Sequence, residues 1–275
     1  MELGCCMLTS QHVGEPPEAD CLSPFASCVN NRDVLRQNLL RSPDVAPLGV
    51  RVYENQRSAA AAYNDALAKA GSKDRYTAFV HQDVYLPRGW LATLEGSIDL
   101  LSSRDPSWGV LGCYGVTASG EHFGHVYSNG LGVLGKPFHR PVRVRTLDEI
   151  VLVVRNLPGL RFTANHPGFH MYGADICLHA EQLGLHCYAI DNYCVHNTRY
   201  DYALPLAFYQ GYRAILRSFP AALPVTTPCA LVSRHREWRM LISLLRQELA
   251  RRRGRLRIAE RLADPLSATG TLCGD

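Results

Sequence analysis

The sequence lacks several signatures that would place it in a large known class at once. No P-loop pattern GxxxxGKS/T occurs in its 275 residues, which argues against a P-loop NTPase. We expect no nicotinamide-binding Rossmann fold either. No CxxC pair occurs among the ten cysteines, so neither a zinc ribbon nor a dithiol redox motif is indicated.

Long apolar runs and leader signals are also missing. No apolar stretch reaches the ~20 residues needed to span a bilayer, and no basic segment followed by an apolar core begins the chain. We therefore expect a cytoplasmic protein. The formal charge is only +4, which suits an anionic substrate without requiring a nucleic-acid partner. A hydrophobic content of 47% is enough for one large α/β domain with a full core.

Apolar runs alternate with helical patterns in the N-terminal half. We predict strands at residues 26–29, 49–53 and 76–80, and helices at 34–40, 58–70 and 90–101. This alternation is typical of a mostly parallel sheet covered by helices on both faces. Residues 11–22 are rich in proline and acidic side chains, and we expect residues 1–25 to form an irregular N-terminal segment.

Polar clusters follow each of the three predicted strands. They are Asn30-Asn31-Arg32, Glu54-Asn55-Gln56-Arg57 and His81-Gln82-Asp83. Ligands of parallel α/β sheets bind at the carboxyl ends of the strands. The three clusters are therefore expected to meet at one edge of the sheet and to form the binding site.

The second half is predicted to contain strands at 109–112, 142–145, 150–154 and 185–190, and a helix at 176–183. One long helical pattern covers 231–263, interrupted at Gly254, with Trp238, Leu241, Leu245 and Leu249 on one face. We expect this face to pack on the domain. Because the pattern is rich in arginine, peripheral contact with anionic lipid or with an acidic acceptor is an alternative.

Three side chains are candidates for chemistry. Asp83 directly follows a buried strand and can bind a divalent cation, although it can equally cap a turn. His196 follows a strand and can complete such a site, although a strand-end histidine is often structural. Asp175 can act as a general base or can cap the helix that is predicted to follow it. Spacing alone does not separate these alternatives.

Several segments together resemble the family 2 glycosyltransferases, and most closely the branch of streptomycin-biosynthesis glycosyltransferase-like proteins. The resemblance covers residues 26–198. It is carried by CVNNR at 28–32, ENQ at 54–56, AAAYN at 60–64, HQDVYLPRGW at 81–90, DE at 148–149, FHMYGADICL at 169–178 and VH at 195–196. The HQDVYLPRGW string is its most specific part.

The resemblance implies a GT-A fold, in which a nucleotide-binding α/β half is fused to an acceptor half over residues 26–200, followed by a helical, arginine-rich extension at 201–275. It implies metal-dependent, inverting transfer of a sugar from a nucleotide-sugar donor, with Mn²⁺ or Mg²⁺ as cofactor. Asp83 and His196 match the metal ligands, and Asp175 matches the catalytic base. The nucleotide-sugar site would contain Asn30, Glu54, Asn64, His81 and Gln82.

The chain departs from the family pattern at two places. His81 stands where the family has the first aspartate of its Asp-x-Asp motif, and Ala174 replaces one member of an acidic pair. The alternative hypothesis is therefore a degenerate GT-A module that binds a sugar nucleotide or glycan without turnover. A nucleotidyltransferase is a third interpretation, but its N-terminal basic glycine-rich loop is missing. The sugar, the acceptor and the oligomeric state are not encoded in any readable pattern.

Overall fold

A seven-stranded mixed sheet forms the centre of the structure, a computed structural model that describes residues 23–71 and 74–270. Its strand order is β2-β1-β3-β11-β5-β12-β9. The strands are β1 (Phe25–Val29), β2 (Arg51–Glu54), β3 (Tyr76–Val80), β4 (Val84–Tyr85), β5 (Trp108–Gly112), β6 (Tyr114–Val116), β7 (His122–Ser128), β8 (Gly132–Gly135), β9 (Val142–Val144), β10 (Thr146–Leu147), β11 (Val151–Arg155), β12 (His186–Ala189), β13 (Val195–His196), β14 (Val225–Thr226) and β15 (Leu231–Val232). The helices are α1 (Arg32–Gln37), α2 (Ala59–Ala68), α3 (Trp90–Arg104), α4 (Tyr172–Gln182), α5 (Phe208–Ser218) and α6 (Glu237–Arg252).

Parallel pairing of β1 with β2 and β3, and of β5 with β12, is combined with antiparallel pairing of β11 to β3 and β5 and of β9 to β12. All five residues of β3 are buried, as expected for a strand covered on both faces. The predicted class, an α/β protein with a mixed central sheet flanked by helices, is confirmed.

Two apolar cores cover the two faces of this sheet. On one face, α2 and α4 pack on side chains such as Phe79 and Leu152. On the other face, α1 and α3 pack on Val80 and Val153. Successive side chains of a strand point to opposite faces, so neighbours such as Phe79 and Val80 contribute to different cores.

A second sheet adjoins the first, with the order β10-β6-β7-β13-β4 and with β8 added beside β7. Its antiparallel β4–β13 pair aligns Val84 with His196. The GxGxxG string Gly130–Gly135 forms the turn and the strand of the β7–β8 hairpin. It is therefore not the strand-to-helix phosphate loop of a dinucleotide-binding fold.

The chain beyond residue 200 adds α5 and α6, which pack on α4 through a third apolar core. After α6 it returns to the body of the protein. Tyr200 pairs with Ala259 in an antiparallel bridge, and Asn129 Nδ2 donates to the Glu260 carbonyl at 2.7 Å. We refer to residues 255–270 as the return segment.

The C-terminal helix is shorter than predicted. The helical pattern predicted over 231–263 forms a helix only from Glu237 to Arg252. The predicted interruption at Gly254 is confirmed, because this residue adopts a left-handed conformation with φ of 63° just after the helix ends. The prediction that this face packs on the domain is wrong for Trp238, Leu245 and Leu249, whose side chains are exposed. Residues 1–22 of the predicted irregular segment lie outside the described residues, and the domain boundary at 200 stays a prediction. Within the described part of the chain, no helix has the length and apolar character to cross a membrane.

Candidate active site

The loops after β1, β2 and β3 meet at one edge of the central sheet, as predicted. Gln82 joins the loops after β1 and β3, because its Oε1 accepts from the backbone N–H groups of Asn30 and Asn31 at 3.1 Å and its Nε2 donates to Asn30 Oδ1 at 2.6 Å. The loop after β2 is joined to β1 by the backbone N–H of Asn55, which donates to the Val29 carbonyl at 3.2 Å. Together the three loops border a cavity of about 450 Å³. Its lining is Cys28, Val29, Asn30, Asn55, Gln56, Tyr63, His81, Gln82, Asp83, Phe169 and Tyr172.

His81, Asp83 and His196 form a three-residue cluster at this cavity. One donor atom from each lies within 4.8 Å of the other two. His196 Nε2 is 3.5 Å from Asp83 Oδ1. The cluster forms because Asp83 immediately precedes β4, while the β4–β13 pairing brings His196 alongside it. Two imidazoles and a carboxylate are a donor set that suits a transition-metal dication such as Mn²⁺.

The other nitrogens of both imidazoles have partners that orient the rings. His81 Nε2 is 2.7 Å from Tyr172 Oη, and Tyr172 Oη is 3.3 Å from the carbonyl of Glu149. Both contacts are satisfied when His81 donates from Nε2 to Tyr172, which then donates to Glu149. His81 Nδ1 is then left with a free lone pair. His196 Nδ1 lies 3.4 Å from Ser128 Oγ. Such outer contacts are characteristic of metal-binding histidines.

The surroundings of His81 and Asp83 favour the protonation states in which these two side chains bind a cation. Burial lowers the pKa of His81 to about 4, although the Asp83 carboxylate opposes this shift. Burial on its own raises the pKa of Asp83, but the charge and hydrogen bond of His196 outweigh it and hold that pKa well below its usual range. At neutral pH, His81 therefore has its lone pair and Asp83 is anionic, as metal binding requires. Burial lowers the pKa of His196, but the charge and hydrogen bond of Asp83 outweigh it and raise that pKa, so His196 must release a proton when a metal binds.

The return segment adds a cation to this site. Arg261 Nη2 lies 3.9 Å from Asp83 Oδ2, and its Nε is buried without a hydrogen-bond partner. The segment is held there by Asn197, whose Oδ1 accepts from Leu262 N at 2.7 Å and whose Nδ2 donates to Leu262 O at 3.0 Å. The backbone N–H of Asn197 also donates to the carbonyl of Asp83 at 2.8 Å.

An acidic pair lies behind the cluster, at the start of β11. The backbone N–H of His81 donates to the Ile150 carbonyl, which places Asp148 and Glu149 beside the metal-ligand candidates. Burial, followed by the charge of Asp148, raises the pKa of Glu149 above its ordinary value. Glu149 Oε1 is 3.5 Å from the backbone N–H of Gly173. A carboxylate in such surroundings is a candidate proton acceptor.

Asp175, the predicted general base, does not line the cavity, and its catalytic role stays a prediction. The helix begins at Tyr172, so Asp175 lies inside its first turn and is not an N-cap. The side chain is 0% exposed. Its Oδ2 accepts from Thr163 N at 2.7 Å, and its Oδ1 faces His166 Nδ1 at 3.3 Å. A base must reach the acceptor's proton, and this carboxylate instead ties α4 to a neighbouring loop.

Two predicted nucleotide contacts are also placed outside the cavity lining. Glu54 forms an exposed ion pair with Arg32, with 2.5 Å between Oε1 and Nε. Asn64 uses both ends of its amide on the backbone of Phe162, at 2.9 Å each. Asn30, His81, Gln82 and Asp83 do line the cavity.

Several residues of the site were not predicted from the sequence. Tyr172 and Glu149 lie within strings that were noted for the family resemblance, but no spacing rule marks them as functional. Arg261 carries no local signal, because it reaches Asp83 only through the fold of a segment almost 180 residues further along the chain. Gln56 lines the cavity, although the prediction for that loop fell on Glu54.

Comparison by sequence yields little. No family model matches the chain. A curated protein of Fuscovulum blasticum, "ATP synthase subunits region ORF 6", is 38% identical over 136 residues, which cover 46% of this chain and 53% of that protein. The chain thus spans about half the length of this relative, whose name states no activity.

Three solved structures are similar to the chain at low sequence identity. GalNAc-T7 with UDP, GalNAc and Mn²⁺ has a TM-score of 0.45 at 12% identity and covers 72% of this chain and 46% of its own. Mannosyltransferase PcManGT from Pyrobaculum calidifontis with GDP-Man and Mn²⁺ has a TM-score of 0.44 at 13% identity, and the match covers 95% of this chain and 80% of that chain. S. aureus TarS with UDP-GlcNAc has a TM-score of 0.42 at 14% identity, and the match covers 82% of this chain and 72% of that chain.

Proposed function

We propose that the protein is a glycosyltransferase of the GT-A type, which transfers a sugar with inversion from a nucleotide-sugar donor to an acceptor in the presence of a divalent cation. The observation that carries this proposal is the His81, Asp83 and His196 cluster at the cavity where the parallel strands end. The sequence resemblance to family 2 glycosyltransferases supports it independently.

The cavity has the size and lining that a nucleoside needs. A volume of about 450 Å³ lies within the range of small-molecule sites. Amide side chains from Asn30, Asn55 and Gln56 provide donors and acceptors for a base and a ribose, while Tyr63 and Phe169 contribute apolar surface. The diphosphate would then extend toward Asp83, where the cluster and Arg261 are located.

The residues present fit a divalent cation held by His81, Asp83 and His196. When bound there, Mn²⁺ would supply positive charge that stabilises the departing nucleoside diphosphate. Mg²⁺, which prefers oxygen ligands, fits a set with two imidazoles less well. Arg261 contributes a permanent positive charge on the same side, close to Asp83. Tyr172 and Ser128 hold the two imidazoles in orientation.

We assign the proton-accepting role to Glu149, which lines a small neighbouring cavity together with Asp148, whereas Asp175 lines neither that cavity nor the larger one. Glu149 lies beside the cluster and has a pKa raised by burial and by Asp148. In the transfer step, the acceptor hydroxyl loses its proton to this carboxylate as its oxygen bonds to the anomeric carbon. The bond from that carbon to the donor's diphosphate breaks with its electron pair, and attack from the opposite side inverts the configuration.

The second candidate is a module that binds a sugar nucleotide without turnover. It is favoured by His81 in place of an aspartate and by the burial of Asp175. Isothermal titration with UDP-, dTDP- and GDP-sugars, with and without Mn²⁺, tests donor binding. Nucleotide release is then measured with each donor that binds. Mn²⁺-dependent binding followed by release supports the transferase, while binding with no release on any acceptor supports the module.

A further inference from the structure

A stripe of large apolar side chains is exposed along α6. Its members are Trp238 (58% exposed), Ile242 (39%), Leu245 (48%) and Leu249 (47%). They recur at intervals of four, three and four residues, so they lie on one face of the helix within about 60° of one another. We call this face the α6 stripe; it is about 16 Å long at 1.5 Å per residue.

The α6 stripe points away from the protein. The helix is anchored instead by Leu244, which is fully buried, and by Met240, which packs against the same core. At 100° per residue, Leu244 lies more than about 90° from every member of the stripe. Polar bonds reinforce this orientation, since Gln247 accepts from Leu204 N at 2.8 Å and Glu237 accepts from Tyr209 at 3.0 Å. The helix cannot rotate the stripe inward without breaking them.

Arginines border the α6 stripe. Arg239 and Arg246 are exposed and lie on the same side of the stripe along the helix. The Arg239 guanidinium stacks over the Trp238 ring, 5.2 Å from its centroid. Arg234, Arg236 and Arg253 extend the positive charge at the two ends of the helix. Within the described part of the chain, none of these five arginines forms an ion pair with an acidic side chain.

We propose that the α6 stripe and its arginines bind the protein to the surface of a membrane that contains anionic lipid. Exposed tryptophan and leucine beside arginine is the composition of helices that lie in the interfacial plane, with the apolar side chains among the acyl chains and the cations at the headgroups. This proposal is independent of the proposed glycosyl transfer, because it involves neither the metal cluster nor the cavity.

A second copy of the chain fits the same face less well. Apposing two α6 stripes would bring Arg239 and Arg246 of both copies into one apolar interface, where like charges repel each other and lose hydration. An anionic lipid surface supplies the opposite charge over the same area. Charge complementarity therefore selects lipid over self-association.

The test measures cosedimentation of the full chain with vesicles, in the absence of donor and metal. One set contains phosphatidylcholine alone, and the other contains phosphatidylcholine and phosphatidylserine at three to one. We expect binding to the anionic vesicles, much weaker binding to the neutral ones, and loss of binding at high salt. For the double variant Arg239→Gln/Arg246→Gln, we expect the partition coefficient on anionic vesicles to fall about fivefold for each arginine.

Matched variants separate the apolar and the charged parts. Leu245→Ser/Leu249→Ser should lower binding by about tenfold or more, since two partly exposed leucines would no longer insert. The control Arg104→Gln/Arg140→Gln removes two exposed arginines elsewhere on the surface with the same change of net charge, and it should bind as the parent does. Equal loss in this control would overturn the proposal, because attraction would then depend on net charge alone.

Sedimentation velocity provides the remaining outcome. If the parent chain is a dimer that Leu245→Ser/Leu249→Ser converts to monomer, and if the parent does not bind anionic vesicles, the α6 stripe is a contact between copies and the lipid proposal is wrong. Circular dichroism of each variant verifies that α6 is retained, so loss of binding can be assigned to the surface. Since the assay contains no donor, its failure leaves the proposed transferase activity untouched.

Discussion

Asn197 links the candidate metal site to the return segment, and its replacement by alanine should detach the two. Its side chain makes three hydrogen bonds, one to Asn38 Oδ1 at 2.9 Å and two to the backbone of Leu262 at 2.7 and 3.0 Å. Both Asn197 and Asn38 are buried. The deleted side chain also leaves the amide oxygen of Asn38 without this donor in an apolar environment.

The magnitude follows from these bonds. At about 1 kcal/mol net for each hydrogen bond, Asn197→Ala should lower the free energy of unfolding by about 3 kcal/mol, and by up to about 5 if Asn38 stays unsatisfied. For a chain of this size, a loss of about 3 kcal/mol corresponds to a fall in Tm of about 6–12 °C. The loss should be greatest around Leu262 in the return segment, while the Tyr200–Ala259 bridge and the hydrogen bond from Tyr193 to the Ala268 carbonyl keep its two ends attached.

Two measurements distinguish local from global loss. Chemical denaturation gives the free energy of unfolding, and limited trypsin digestion under native conditions reports opening of the return segment, which contains Arg255, Arg257 and Arg261. We expect Asn197→Ala to accelerate cleavage at Arg261. Asn64→Ala is the matched control. It removes two side-chain hydrogen bonds to the backbone of Phe162, outside the return segment, and should leave the rate of cleavage at Arg261 near that of the parent. Unchanged stability and unchanged cleavage in Asn197→Ala would refute the linkage.

Three further outcomes are expected. Asp175→Asn should lower the free energy of unfolding by about 2 kcal/mol, since a charged hydrogen bond to Thr163 is weakened. Donor affinity measured by titration should stay the same. Loss of sugar transfer in a variant as stable as the parent would instead support Asp175 as the base. Glu149→Gln should reduce kcat by about 10²–10⁴. Because the pKa of Glu149 in the folded protein is raised, the kcat of the parent should keep rising with pH above the ordinary pKa of glutamate. Over the same pH range, the stability of the parent should fall relative to that of Glu149→Gln. Parallel stability-versus-pH profiles for the two proteins would argue against this role. Arg261→Gln should raise the KM for the donor by about tenfold or more through a lost charged contact, with Tm little changed, and a KM equal to the parent's would remove Arg261 from the donor site.

The strands that were predicted best are those whose side chains are buried on both faces. Residues 76–80 contain no charged side chain and residues 150–154 are a continuous apolar run. The structure has β3 at 76–80 and β11 one residue later than predicted, at 151–155. The convergence of Asn30, Gln56 and Gln82 also followed from the sequence, because it depends only on parallel strands ending at one edge. These inferences use local composition and a topological rule, and both operate without knowledge of long-range packing.

The sequence does not show in which direction a side chain on a helix points. Asp175 was proposed from its position near a helix start, and the start at Tyr172 places its carboxylate in the interior, so its role stays a prediction. Trp238 belongs to a real apolar periodicity, yet the buried side of α6 is the one that carries Leu244. Periodicity shows that a face is apolar without showing what covers it. Arg261 reaches Asp83 through tertiary folding, for which the sequence contains no local pattern.

The central claim is that His81, Asp83 and His196 bind a divalent cation that donor binding requires. Isothermal titration of the parent and of Asp83→Asn with MnCl₂, followed by a donor nucleotide, tests it most directly. We predict one Mn²⁺ bound per parent chain, no measurable Mn²⁺ binding by a folded Asp83→Asn variant, and donor binding only with the metal-loaded parent. Equal Mn²⁺ affinity in the two proteins, or donor binding that is indifferent to Mn²⁺ and to this substitution, would contradict the assignment.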